Sequence, residues 1–150
     1  MYINLITKYL IMTALLALSV AGSATAAMDP QTNTSMVLEL NDSTLNSTVA
    51  LYPLFILDVT KSTCGPCQRM KAAISELSLE LSGPAAFGMI KGIENNITTE
   101  RYNITTYPTL LIFENGTLVK KSEGFASKGY IVDTLLRLKP GLNTSRVTNG

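Results

Sequence analysis

Apolar positions along this chain switch between a period near two and a period near 3.6, and the switches mark out a series of short elements. Met36-Val37-Leu38-Glu39-Leu40 predicts a short strand. Asn41-Asp42-Ser43 offers an N-cap for a helix from Thr44 to Ala50, and Pro53 resets the chain. Leu54-Phe55-Ile56-Leu57-Asp58-Val59-Thr60 is apolar on both alternating sets apart from Asp58 and Thr60, as expected of a central strand covered on both faces. From Cys67 to Leu81 the apolar residues fall at Met70, Ala73, Ile74, Leu77 and Leu81, a helical spacing that Gly83-Pro84 stops. A third strand fits Ala85 to Ile93 and a short polar helix fits Thr98 to Tyr102. Thr109 to Glu114 and Thr117 to Lys121 flank Asn115-Gly116, a strong hairpin signal. Gly124 breaks the pattern, and Ser127 caps a last helix with Ile131, Leu135 and Leu138 on one face, ended by Pro140-Gly141.

The order β-α-β-α-β-α-β-β-α predicts an α/β domain over residues 36–140, a central mixed β-sheet flanked by helices on both faces. Residues 27–35 are small and polar and read as a linker. The tail 141–150 is polar, and from Leu142 it is expected to be loose.

The first 26 residues differ from the rest. Lys8 precedes an apolar stretch from Tyr9 to Val20, and small residues lead to Ala24-Thr25-Ala26, the pattern of a secretory signal with an A-x-A cleavage site. An uncleaved membrane anchor is the alternative, because Tyr9 to Ala27 is just long enough to span a bilayer. Either reading puts the domain outside the cytosol, secreted or otherwise extracytoplasmic. Asn-x-Ser/Thr triplets begin at Asn33, Asn41, Asn46, Asn96, Asn103, Asn115 and Asn143, well above the roughly two that composition yields at random. They are glycosylation candidates in an exported protein, or else part of a surface rich in Asn and Thr.

Composition narrows the chemistry. The 150 residues include two Cys, no His and no Trp, with a net charge of +1. One domain of ordinary size is expected, and as a monomer. Without His, neither a four-ligand zinc site within one chain nor a Ser/Cys-His nucleophile pair can be built. Gln68 stands where C-x-x-C-H haem attachment needs its His. Near-neutral charge without a basic run leaves no footprint for nucleic acid. No metal or other cofactor is expected, and what remains is thiol chemistry.

Both thiols lie in Cys64-Gly65-Pro66-Cys67, where the central strand turns into a helix. Disulfide exchange needs a thiolate, and the free N–H groups and dipole of a helix N-terminus favour one. Pro66 suits a first helical turn, where its missing N–H costs nothing. Cys67 is spaced to reach back to the Cys64 sulfur and resolve a mixed disulfide. A purely structural bridge is the competing reading, but so small a loop contributes only roughly 2 kcal/mol against nearly 5 for a loop of 100 residues. Pooling of thiolates from two chains around one metal is a further alternative. Asp58 lies on the strand feeding Cys64; buried and unpaired it would have a raised pKa and exchange protons near neutrality, while at the strand end it would simply face water. Lys91 is a possible partner for Asp58 or an exposed strand lysine. Pro108, opening an apolar strand, marks the strand's start and follows the one kind of peptide bond that takes the cis form cheaply.

Together, Cys64-Gly65-Pro66-Cys67 on a strand-to-helix junction, Asp58 upstream, Tyr107-Pro108-Thr109, Asn115-Gly116 and Gly124 resemble the thioredoxin family over about residues 36–139. The resemblance implies a thioredoxin fold, a redox disulfide Cys64-Cys67, Cys64 as nucleophile and Cys67 as resolving thiol. It implies that Asp58 is the buried acid assisting proton transfer at Cys67, that Lys91 falls near the lysine pairing with that acid, and that Pro108 is the cis-proline facing the disulfide. Gly65, Pro66, Tyr107, Pro108 and Gly124 would then border an extended substrate segment held by strand addition. Thr63 and Thr60 stand where the family usually has Trp, Tyr107 is bulkier than the usual residue before the proline, and Ala72 replaces a proline that commonly kinks the helix. These departures bear on substrate access and potential.

The expected activity is exported thiol-disulfide exchange, reducing the disulfides of other proteins, with electrons supplied by a membrane-embedded thiol carrier. An oxidase or isomerase of the same fold, or a non-catalytic binding module using the same groove, are the alternatives.

Overall fold

The computed structural model describes residues 36–147. The signal or anchor segment 1–26, the linker 27–35, the Asn33 triplet and residues 148–150 lie outside the described residues. The elements are β1 (Val37–Leu40), α1 (Leu45–Leu51), β2 (Leu54–Thr60), α2 (Gly65–Glu80), β3 (Ala86–Lys91), a 3-10 turn (Gly92–Glu94), α3 (Asn96–Arg101), β4 (Thr109–Glu114), β5 (Thr117–Glu123) and α4 (Lys128–Leu138). One sheet runs in the order β1-β3-β2-β4-β5, with β1, β3 and β2 parallel to one another, β4 antiparallel to β2 and β5 antiparallel to β4.

The central strand is β2, and all of its residues are buried. Leu54 and Ile56 join Met70, Ile74 and Leu77 of α2 and Ile131 and Leu135 of α4 in one core. Phe55, Leu57 and Val59 join Leu45 and Val49 of α1, Ile104, and Leu111 and Phe113 of β4 in the other. Helices therefore cover both faces of the sheet, which is why β2 shows no polar alternation. Side chains of this size each contribute roughly 1.5–3 kcal/mol when removed from water.

Several boundaries shifted for identifiable reasons. Asp42 does not cap α1. It reaches across to α3, where its carboxylate accepts from the N–H groups of Ile97 and Thr98 and from the Thr98 hydroxyl. That cap starts α3 at Asn96, ahead of the expected Thr98, and joins the β1–α1 loop to it. Asn41 takes up the turn before α1, its Oδ1 accepting from the N–H groups of Ser43 and Thr44. In the hairpin, Asn115 and Gly116 have φ of 50° and 78°, the two positive values that a type I′ turn needs. The Asn115 N–H donates to Pro53 O at 3.0 Å and ties the hairpin to the start of β2.

The expectation of a loose tail is corrected over its first part. Leu142 and Val147 pack against the α2/α4 core, and their N–H groups donate to Lys139 O and Thr144 O, each at 2.9 Å. Two apolar residues in a polar run are enough to dock the chain where they meet an exposed apolar edge. No helix among the described residues is long and apolar enough to cross a membrane.

Ile74→Ala, deep between β2 and α2, is expected to lower the unfolding free energy by about 2–5 kcal/mol. Leu51→Ala, at a position 75% exposed, should change it by less than about 0.5 kcal/mol. Urea denaturation of the two variants measures both.

Candidate active site

The chain leaves β2 at Thr60, passes through Lys61 to Thr63 and enters α2 at Gly65. Cys64 is the N-cap: its backbone is extended (φ −148°, ψ 111°), and its Sγ accepts from the Cys67 N–H at 3.2 Å. Pro66 sits in the first turn, where no N–H is missed. Negative charge on Sγ is favoured at this position, because the first-turn N–H groups have no intrahelical acceptor and the helix dipole points its positive end at the sulfur. Cys64 and Cys67 are joined in a disulfide with their Cα atoms 5.2 Å apart. Their exposures differ: Cys67 is 1% exposed, whereas Cys64 is half-buried and reachable from solvent. Of the two sulfurs, only that of Cys64 can be approached from solvent.

Asp58 is fully buried on the α2 face of β2. The layer formed by Ile56 and Met70 is followed, two residues along the strand and one turn earlier in the helix, by Asp58 and Cys67. Neither carboxylate oxygen has a hydrogen-bond partner among the described residues. Burial pushes its pKa from 3.8 up to about 7.

Lys91 does not partner Asp58, and that expectation is corrected. In the parallel β2–β3 register Met89 lies beside Asp58 and Lys91 beside Thr60. The Lys91 side chain is 55% exposed, and its Nζ lies 3.5 Å from Glu94 Oε1. At the end of β3 the ammonium remains hydrated beside Glu94, which costs less than entering the dry interface under the disulfide.

The Tyr107-Pro108 bond is cis. Tyr107 O lies 3.9 Å from Cys64 Sγ, and Pro108 O accepts from the Gly124 N–H at 2.8 Å. Gly124 has a φ of 83°, a value that glycine adopts without strain. Thr109 Oγ1 closes the loop by donating to Thr106 O at 2.6 Å. The structure thus brings together Cys64, Tyr107, Pro108 and Gly124, with Gly65 and Pro66 exposed beside them. Tyr107 contributes its backbone to this site, while its ring packs against Gly92, where a Cβ would come within 2.6 Å of the Tyr107 hydroxyl oxygen.

Sequence reasoning missed two features of this rim. Phe125, directly after Gly124, is 44% exposed, with the Arg69 guanidinium 4.8 Å from its ring centroid. Lys61 Nζ stands 5.7 Å from the centroid of Tyr107. In a chain without Trp, an aromatic residue beside a glycine of the groove was the available signal. Of the glycosylation candidates, Asn41, Asn46, Asn96, Asn103, Asn115 and Asn143 are all exposed. Asn115, bonded to Pro53, lies at the end of β2 away from the disulfide, and Asn46 Oδ1 accepts from Arg101. No group of three or more His, Cys, Asp or Glu residues is placed to hold a metal among the described residues.

A reachable half-cystine at a helix N-terminus, a buried second one, a buried acid behind them and a cis-proline loop in front define a thiol-disulfide oxidoreductase on an α/β scaffold. Residues 36–137 match the sequence profile of the family described as Thioredoxin. The chain belongs to the thioredoxin family. It is similar to the thioredoxins of Staphylococcus aureus strains Mu50 and MW2, with 31% identity over 80 residues, 53% of this chain and 77% of each relative. Its fold is also that of a mutant thioredoxin from Halobacterium salinarum NRC-1, with a TM-score of 0.64 and 22% identity, covering 69% of this chain and 90% of that one. Thioredoxins work through a redox-active disulfide, act on disulfide substrates and need no cofactor.

The Asp58 carboxyl makes stability depend on pH. The unfolded chain ionises it near 3.8 and the folded chain near 7, so stability is fully retained below about 4 and falls as pH rises toward 7. The gap corresponds to roughly 4 kcal/mol above pH 7. Asp58→Asn should therefore be more stable than the parent at pH 8, by up to about that amount, with the difference vanishing at pH 4. Urea denaturation of the oxidised proteins at both pH values provides the check, and a gap of equal size at both would contradict the assignment.

Proposed function

We propose that this protein is an exported disulfide reductase. The observation that carries the exchange step is the asymmetry of the pair, Cys64 reachable at the helix terminus and Cys67 buried beside the layer of Asp58. Starting from the dithiol, the Cys64 thiolate attacks one sulfur of a substrate disulfide, forming a mixed disulfide and releasing a substrate thiolate that takes up a proton. Cys67 then gives its proton to Asp58 and attacks Cys64 Sγ. The second substrate thiol leaves, and Cys64 and Cys67 are oxidised to the disulfide by two electrons. An acid titrating at about 7 is matched to accepting that proton near neutral pH.

The reducing direction is supported by the Gly-Pro pair between the cysteines, which resembles that of the reducing members of the superfamily, with potentials of about −270 mV. Export is supported by the charged start, apolar stretch and A-x-A site of residues 1–26, and by the Asn-x-Ser/Thr triplets, whose described asparagines all face solvent. Outside the cytosol the disulfide must be reduced again, and a membrane-embedded dithiol carrier is the class of partner that does so. The working form is a monomer.

Catalysed reduction of insulin by dithiothreitol tests the activity: it should exceed dithiothreitol alone and vanish in Cys64→Ser, while reduced Cys67→Ser, mixed with the substrate after dithiothreitol is removed, should accumulate the mixed disulfide. A rate equal to dithiothreitol alone would favour a non-catalytic binding module. Equilibration with glutathione should return a potential near about −270 mV, and a value above about −180 mV would assign an oxidase or isomerase instead. For export, protein purified from its own source should lack residues 1–26 or sit in the membrane fraction, and should be heavier by mass spectrometry than the bare polypeptide. A cytosolic protein of unmodified mass would refute both export and glycosylation.

A further inference from the structure

Two cations stand at the rim of the disulfide, and the exchange steps use neither. Lys61 lies in the loop between β2 and Cys64, its Nζ over the ring of Tyr107 at 5.7 Å from the centroid. Arg69 lies just past Cys67 in α2, its guanidinium over the ring of Phe125 at 4.8 Å from the centroid. The two rings belong to the two loops that border the disulfide. Tyr107 O approaches Cys64 Sγ, and Phe125 follows Gly124, whose N–H is bonded to Pro108 O. Each cation is thus held on the ring of a residue from a loop that borders the disulfide.

Neither cation has a carboxylate in ion-pair range among the described residues, and carboxylates of the surrounding elements already have lysine partners. Glu94 pairs with Lys91, Glu123 with Lys121, and Glu76 with Lys128. The positive charge of Lys61 and Arg69 is therefore uncompensated by any carboxylate among the described residues. Phe125, 44% exposed, adds an apolar edge in a chain that has no Trp.

We propose that Lys61 and Arg69 form a cationic rim that selects disulfide substrates whose cystine is flanked by Asp or Glu. The inference rests on the exchange reading of Cys64 and Cys67 and names the substrate class for it. A substrate strand laid along Tyr107 and Pro108 advances about 3.3 Å per residue, which brings side chains two or three positions from its cystine level with the rim. Stacking on Tyr107 and Phe125 holds each cation in place, so less side-chain freedom is lost when a carboxylate pairs with it. Both cations stay in contact with water, which keeps each pair weak and sensitive to salt.

The test uses two disulfide peptides that differ only in carrying Glu or Lys at the second and third positions on either side of one cystine. Their kcat/KM values are measured with dithiothreitol as reductant. At low ionic strength the Glu peptide should be preferred about tenfold, falling toward parity in 1 M salt. The double variant K61E/R69E should invert the preference, and Phe125→Ala, which keeps the charge but frees the guanidinium, should lower it by about half. A ratio between two peptides on one enzyme cancels any change in the nucleophile itself, so it reads the rim alone. Equal kcat/KM for the two peptides in the parent protein, or a preference unchanged in K61E/R69E, would overturn the rim while leaving the exchange reading intact. Turnover of neither peptide would overturn both.

Discussion

β2 is covered along its length by helices on both faces, so a polar group on it must either be driven out at an end or be held at a cost. This strand ends at Thr60, and α2 begins at Gly65 with Cys64 as its N-cap. Burial of the strand confines Asp58 to the interface between β2 and α2, away from hydrogen-bond partners among the described residues. A carboxyl held this way costs stability once ionised, and the same cost is what raises its pKa to about 7. Stability and chemistry are two consequences of one packing arrangement.

The cis-proline loop completes the site from the other side. Its carbonyls are divided between two tasks, Tyr107 O facing Cys64 Sγ and Pro108 O holding Gly124. The ring of Tyr107 is turned onto Gly92, a contact that any larger residue at position 92 would disrupt. The loop is thus held by a ring, a hydrogen bond and the Thr109 hydroxyl, while the edge facing Cys64 is backbone. Recognition by backbone alone tolerates many sequences, so discrimination between substrates has to come from the side chains around it.

Much of this was legible in the order of residues. The doubly covered strand from Leu54 to Thr60, the cysteine pair at its end, the Asn115-Gly116 turn and Pro108 each rest on local chemistry that one stretch of chain expresses by itself. The features that were misread all depend on what another element brings. Asp42 reads as a local cap but serves α3, because the N–H groups of Ile97 and Thr98 come to it across the fold. Lys91 is in the right strand to meet Asp58 but is drawn to Glu94 and water. Leu142 and Val147 look solitary in a polar tail until the α2/α4 core supplies the surface they cover. The stacking of Arg69 on Phe125 joins residues from a helix and a distant loop, which no local pattern encodes.

What distinguishes this arrangement from a structural staple is the inequality of its two sulfurs, one capping a helix at the surface and one buried beneath it. Brief alkylation of the reduced protein at neutral pH, followed by peptide mass mapping, measures that inequality. Cys64 should be modified while Cys67 stays free, until the protein is unfolded and both react. Modification of Cys67 as fast as Cys64 in the folded protein would contradict the assignment of nucleophile and resolving thiol on which the mechanism rests.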